Sequence, residues 1–111
     1  MAQRREWLKG DIESLILYLI SQRPMYGYQI IREMEGRSNG YFKFKEGTLY
    51  PVLHRLERAG LVLGQWQKPD RGRQRKYYYI TDRGLAVVVE VKSQWQAFLA
   101  AINLIFQPQA I

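Results

Sequence analysis

The chain has 111 residues, 47% apolar and 14% aromatic, with 17 Lys/Arg against 10 Asp/Glu for a formal net charge of +7; this length and composition predict one folded domain rather than a disordered segment. Cysteine is absent and His54 is the single histidine, which excludes disulfides, thiolate metal sites and cysteine nucleophiles and leaves little material for a metal centre or a Ser-His-Asp triad. Paired carboxylates beside a base, a glycine-rich phosphate loop and metal-ligand spacing are all missing, so the chain reads as a binding protein without enzyme activity, cofactor or metal.

The placement of the charge says more than its total. Residues 1–83 hold 16 of the Lys/Arg and 9 of the Asp/Glu, whereas Lys92 and Glu90 are the only charges from Gly84 onward. A basic region followed by a neutral, apolar one suggests that the first meets a polyanion and the second meets protein; a merely basic surface is the plainer alternative. The longest apolar runs, Leu15–Ile20, Leu85–Val89 and Phe98–Ile102, fall short of the roughly 20 residues that cross a bilayer, and no signal-type run follows Arg4, Arg5 and Glu6. A soluble, cytoplasmic protein without a membrane partner is expected.

In chain order, Asp11 is placed to cap a first helix reaching about Gln22, with Ile12, Leu15, Ile16, Leu19 and Ile20 on one face. Pro24 breaks it. A second helix from Tyr26 to about Glu35 carries Ile30, Ile31 and Met34 and is closed by Gly36 and Ser38-Asn39-Gly40, while Gly27 allows close packing against a neighbour. A third helix starts near Gly47 or Thr48 and ends at Gly60, its core stripe being Leu49, Val52, Leu53 and Leu56 and Pro51 falling in or near its first turn. That stripe turns Pro51, His54 and Arg58 outward, with Tyr50 and Arg55 on the flanks.

Leu61–Gln67 and Arg75–Ile80 read as the strands of a hairpin. Residues 68–76 hold Lys68, Arg71, Arg73, Arg75 and Lys76 against Asp70, a strongly basic tip that is otherwise only a solvated turn. Alternation places Tyr77 and Tyr79 on one sheet face and Tyr78 on the other. Thr81 or Asp82 then caps a last helix whose Val88, Val91, Trp95, Phe98, Ile102 and Ile105 follow alternating spacings of three and four, a heptad seam. A helix of this length is too apolar for so small a domain to cover, so it calls for a second copy of the chain, with packing of Trp95 and Phe98 on the first helix as the alternative. Residues 107–111 are expected to fray.

Three helices, a basic-tipped hairpin and a long association helix make a mainly helical α+β fold, a winged helix-turn-helix with a long C-terminal dimerisation helix, divided as 1–83 and 84–111. In such domains the third helix enters the major groove of DNA and the wing follows the phosphates. Arg55 and Arg58 suit guanine or phosphate, His54 and Thr48 suit either, and Tyr50 and Pro51 suit a thymine methyl; the wing arginines position more than they specify. Two other uses of this surface stay open: a winged helix acting as a protein–protein adaptor for an acidic partner, and an RNA-binding module stacking bases on Tyr77, Tyr78 and Tyr79.

The run Gly47-Thr48-Leu49-Tyr50-Pro51-Val52-Leu53-His54-Arg55-Leu56-Glu57-Arg58-Ala59-Gly60-Leu61-Val62, with Tyr26-Gly27-Tyr28-Gln29-Ile30 before it and Gly72-Arg73-Gln74-Arg75-Lys76-Tyr77-Tyr78-Tyr79-Ile80-Thr81 after it, resembles the signature of PadR-type transcriptional regulators. The three motifs, in order, span about Asp11 to Leu85, and the final helix is similar to the family's short form. Tyr79 departs mildly, standing where a more polar residue is common. The resemblance implies a homodimer on a roughly palindromic double-stranded DNA operator, usually a repressor, in some members modulated by a small-molecule effector. It carries over Thr48, Tyr50, Pro51 and His54 as reader residues, Arg73, Arg75 and Lys76 as wing residues, and Tyr28 and Lys45 as further DNA contacts; it implies a dimer interface from the last helix with help from Leu15 of the first. It also implies an effector cavity at that interface beside Trp95 and Phe98.

Overall fold

The computed structural model describes residues 2–68 and 72–109, with side chains from Ile12 onward. Pro69, Asp70 and Arg71 of the basic tip, and Ala110 and Ile111 of the segment expected to fray, lie outside the described residues. The element order is α1 (Ala2–Gln22), β1 (Met25–Tyr26), α2 (Gly27–Arg37), α3 (Glu46–Arg58), β2 (Val62–Gln67), β3 (Arg75–Ile80) and α4 (Asp82–Phe106).

The first helix starts nine residues before the expected cap, so Asp11 is an interior position of α1 and not its N-cap. Ile16, Leu17, Leu19 and Ile20 are 1–3% exposed, with Ile12 packed at the edge of this core. Leu15 stands at the rim, 37% exposed. Because α1 touches α2, α3 and β3 as well as α4, it is buried from more than one side, which draws in Leu17 beyond the single expected stripe. Pro24 ends the helix and delivers Met25-Tyr26 alongside β3, pairing Met25 with Tyr78 and Tyr26 with Tyr77. This short strand was not expected. It makes the hairpin a three-stranded antiparallel sheet of order β1-β3-β2.

Helix α2 is entered through Tyr26, whose backbone N–H donates to Gln29 Oε1 at 3.2 Å. It runs through Gly36 and closes with Asn39 at φ 53, where the Gly40 N–H reaches Glu35 O at 2.8 Å and the Asn39 N–H reaches Gly36 O at 3.3 Å. Such paired bonds satisfy the last helical carbonyls and define a Schellman end. Helix α3 ends the same way at Gly60, φ 77, with Leu61 N–H on Leu56 O and Gly60 N–H on Glu57 O, both at 3.0 Å. Its stripe is closed into the core as expected, Leu49, Val52, Leu53 and Leu56 being at most 5% exposed. Since α3 begins at Glu46, Pro51 is its sixth residue, past the first turn, and denies the Gly47 carbonyl its helical hydrogen bond.

Thr81 caps α4 and ties it to the wing: its Oγ1 accepts from the Gly84 N–H at 3.0 Å, and its one proton is shared between the carbonyls of Gly60 at 2.7 Å and Leu61 at 3.0 Å. Gly84 and Val88 are buried, so the first two turns of α4 belong to the winged domain's core. Beyond Val88 no residue of α4 is fully buried, Val91, Trp95 and Ile102 being half-buried, and the chain's extents are 65 × 28 × 25 Å. At 25 residues, α4 is long and apolar enough to cross a membrane by length and composition alone. This corrects the expectation that no segment qualifies: uninterrupted runs understate the helix because Glu90, Lys92, Gln94 and Gln96 break them up.

Candidate nucleic-acid interface

The amphipathic stripe that buries one face of α3 leaves Thr48, Tyr50, Pro51, His54, Arg55 and Arg58 exposed on the other. Opposite them, β2 and β3 rise as the wing, paired from Val62 with Ile80 to Gln67 with Arg75. Between wing, α2 and α3 lies a cleft of about 650 Å³ lined by Tyr26, Gly27, Tyr28, Glu46, Tyr50, His54, Trp66, Arg73, Gln74, Arg75, Lys76 and Tyr78. One surface thus presents an imidazole, four phenols and several cations together, a combination suited to base edges and phosphates.

Contacts within the cleft set the posture of these side chains. Gly27 makes room for Tyr50, since a Cβ there would stand 2.7 Å from the Tyr50 hydroxyl. The Arg75 guanidinium lies 4.6 Å from the centroid of the Tyr26 ring, a cation–π contact, and Tyr26 meets Tyr77 edge-on at 5.3 Å. Tyr28, 53% exposed at the start of α2, accepts a 3.3 Å hydrogen bond from Arg32 Nη1. Glu46 adds a carboxylate to the cleft; it favours the N-terminal end of α3 through the helix dipole while repelling phosphate.

The sequence profile of the Transcriptional regulator PadR-like family matches residues 16–90. The chain belongs to the PadR-like family. An uncharacterized protein of Lysinibacillus sphaericus is 36% identical over 104 residues, covering 94% of this chain and 95% of that protein. The transcriptional regulator Rv3488 of Mycobacterium tuberculosis is 34% identical over 86 residues, 78% of this chain and 77% of that protein. Among solved structures, a PadR-like transcriptional regulator from Bacillus cereus superposes with a TM-score of 0.81 at 35% identity, covering 94% of this chain and 99% of that one. The fold of this PadR-like chain is that of a winged helix-turn-helix transcriptional regulator, mainly helical with a long C-terminal helix.

Of the residues singled out from this PadR-like sequence, Tyr28, Tyr50, His54, Arg73, Arg75 and Lys76 meet in the cleft. Thr48 and Pro51 are exposed on α3 outside its lining. Lys45 is the α3 N-cap, its carbonyl accepting from the Thr48 and Leu49 N–H groups at 3.0 and 3.1 Å. Arg55 is held by α1: its Nε donates to Glu13 Oε1 at 2.7 Å, and Nη2 lies 2.7 Å from the same oxygen. Lys76 is likewise engaged, with Nζ 3.1 Å from Glu57 Oε1. Trp66, 67% exposed, was missed, although alternation from buried Val62 through Gly64 already points it to this face.

Burial pulls the Glu57 carboxyl up, but the Lys76 hydrogen bond, the Gly64 N–H and the charges of Lys76 and His54 outweigh it and hold the group below the usual carboxylate range. Burial pushes the Tyr78 phenol up, helped by Glu57 and Tyr50. Tyr78 is 2% exposed, with Tyr77 and Tyr79 half-buried, so the expected alternation holds.

A second cleft, about 390 Å³ between α1 and α4, is lined by Ser14, Leu15, Tyr18, Phe42, Val88, Val91, Lys92, Trp95, Gln96 and Leu99. Trp95 lines this cleft within one protomer. Phe98 is not among the lining residues and meets Trp95 edge-on at 5.3 Å. Along the heptad seam, Val88 is closed into the core, Val91, Trp95 and Ile102 are half-buried, and Phe98 and Ile105 are 36% and 79% exposed.

Proposed function

We propose that this PadR-like chain binds a pseudo-palindromic operator as a homodimer and represses transcription, acting as a soluble, cytoplasmic protein with no enzymatic role. The observation that carries the reading is the single cleft onto which the outward face of α3 and the basic wing both open. Tyr50 and His54, with Thr48 and Pro51 beside them, read bases in the major groove, and Arg73 and Arg75 follow the phosphates. Tyr28 and Lys45 add contacts at the flank. Residues 1–83, their core closed by the first two turns of α4, carry the DNA contacts, and the exposed remainder of α4 joins the protomers.

Dimerisation is supported by surface area. The chain exposes 8764 Å² for 13.2 kDa, where a compact monomer of that mass exposes about 6400 Å². Leu104, Ile105 and Phe106 are each more than two-thirds exposed, and a second α4 with the Leu15 rim of α1 is the surface that covers such a helix. The α1–α4 cleft is the seat for a small aromatic effector, with Trp95 as its stacking wall.

Binding to mixed genomic duplex fragments at several salt concentrations, with sequencing of the retained DNA, tests the reading. Enrichment of half-sites about one helical turn apart, with steep salt dependence, is the expected result. His54→Ala and Tyr50→Ala should then change sequence preference while Arg73→Ala weakens all DNA alike; a reversal of those outcomes refutes the division of roles. Phe98→Glu with Ile105→Glu should yield monomers by sedimentation. No enrichment and weak binding even at low salt would favour an adaptor for protein partners.

A further inference from the structure

A reader helix and a wing touch DNA together only if the angle between them is held. The carboxylate of Glu57, in the last turns of α3, reaches both strands of the wing. Its Oε1 accepts from Lys76 Nζ of β3 at 3.1 Å, and its Oε2 accepts from the Gly64 N–H of β2 at 3.1 Å. Gly64 is the residue that permits this: a Cβ there would lie 2.9 Å from Glu57 Oε2 and closer still to Lys76 Cε. The two side chains are 30% and 24% exposed. Lys76 Nζ also sits 5.5 Å from the centroid of the buried Tyr78 ring, which fixes the ammonium from a second side. Among the described residues this is the ion pair that joins α3 to the wing; Glu33 pairs with Arg23 and Arg37, and Glu13 with Arg55, elsewhere.

We propose that Glu57 is a positioning residue for DNA recognition, locking the recognition helix to both wing strands through Lys76 and the Gly64 amide, and that Lys76 serves this joint instead of a phosphate. The inference rests on the DNA-binding reading, which it deepens by separating wing cations that touch DNA from one that sets the wing's angle. It reverses the role that sequence similarity implies for Lys76. Arg73 and Arg75 are left as the phosphate contacts.

Operator affinity is measured across a salt series for the wild type, Glu57→Gln, Lys76→Met, the double variant and Lys76→Arg, with thermal unfolding of each. A joint predicts that Glu57→Gln and Lys76→Met each weaken operator binding roughly tenfold, in line with loss of a charge-assisted hydrogen bond. The double variant is expected to be no weaker than the poorer single variant, and Lys76→Arg to restore binding. The slope of log affinity against log salt should stay at the wild-type value in Lys76→Met, because no phosphate contact is lost. A slope shallower by about 0.9 in Lys76→Met, with Glu57→Gln binding as the wild type, makes Lys76 a phosphate ligand and overturns the proposal; additive losses in the double variant also overturn it. The wild-type protein without DNA supplies a separate readout. The Gly64 amide proton resonance should titrate with the Glu57 carboxyl and lose that titration in Glu57→Gln; a Gly64 resonance indifferent to Glu57 refutes the joint even if every variant unfolds. Failure of the wild type to bind any operator would count against the regulator reading alone, and the Gly64 titration would still decide the joint.

Discussion

Gly27→Ala is expected to blunt operator recognition while leaving the fold in place. Gly27 opens α2, is buried, and lies outside the left-handed region, so alanine adopts its backbone without strain. The added Cβ would stand 2.7 Å from Tyr50 Oη, 3.1 Å from Cζ and 3.3 Å from Cε1. Ordinary contact begins at 3.4 Å, so the hydroxyl must withdraw by about 0.7 Å and the ring by less. Tyr50 is 39% exposed and its hydroxyl is the far end of a side chain with room to swing, so stability is expected to change by no more than about 1 kcal/mol. The reader pays more heavily. Misreading one base pair typically costs about 1–3 kcal/mol; the lower part of that range weakens operator binding roughly five- to tenfold. Anisotropy titrations against the operator and a scrambled duplex, beside thermal unfolding, measure both effects. Operator affinity should fall with scrambled-duplex affinity unchanged, and Gly27→Ala/Tyr50→Phe should bind like Tyr50→Phe alone, since the closest contact is then gone. Wild-type operator affinity in Gly27→Ala, or an equal loss on both duplexes, refutes the claim that Gly27 sets the posture of a base-reading tyrosine.

Gly84→Ala acts on stability instead: its Cβ would overlap the Leu61 carbonyl oxygen and stand 2.8 Å from Ile80 Cδ1, and an overlap with backbone is expected to cost about 1–3 kcal/mol, visible as a Tm lowered by roughly 5–15 °C. Gly36→Ala, at an α2 position with nothing within 4 Å of an added Cβ, should raise Tm slightly, by the equivalent of about 0.5 kcal/mol; calorimetry of the two variants checks both signs. Glu13→Gln should release Arg55, strengthening duplex binding and steepening its salt dependence, and unchanged binding would show that Arg55 remains clear of DNA. Because Glu57 is held below its unfolded carboxylate range, its contribution to stability is present above about pH 4.3 and lost as pH falls through the folded value. The Tm difference between wild type and Glu57→Gln should therefore shrink in acid, and a constant difference would refute this linkage.

The sequence by itself determined the elements whose signals are local. The stripe of Leu49, Val52, Leu53 and Leu56, the glycine stop at Gly60 and the Thr81 cap each arise from residues within about one or two helical turns, so spacing alone makes them legible. The outward-facing set on α3 followed, because the face opposite a buried stripe is exposed wherever the helix docks. What only the tertiary structure decided depends on partners far apart in sequence. Met25-Tyr26 is a strand because β3, some fifty residues later, presents Tyr77 and Tyr78 to it; two residues carry no period of their own. Arg55 and Lys76 looked like free cations until Glu13 and Glu57 were brought to them across 42 and 19 residues. Charge can be counted along a chain, but whether a cation faces solvent or a carboxylate is set by the packing of α1, α3 and the wing around one core.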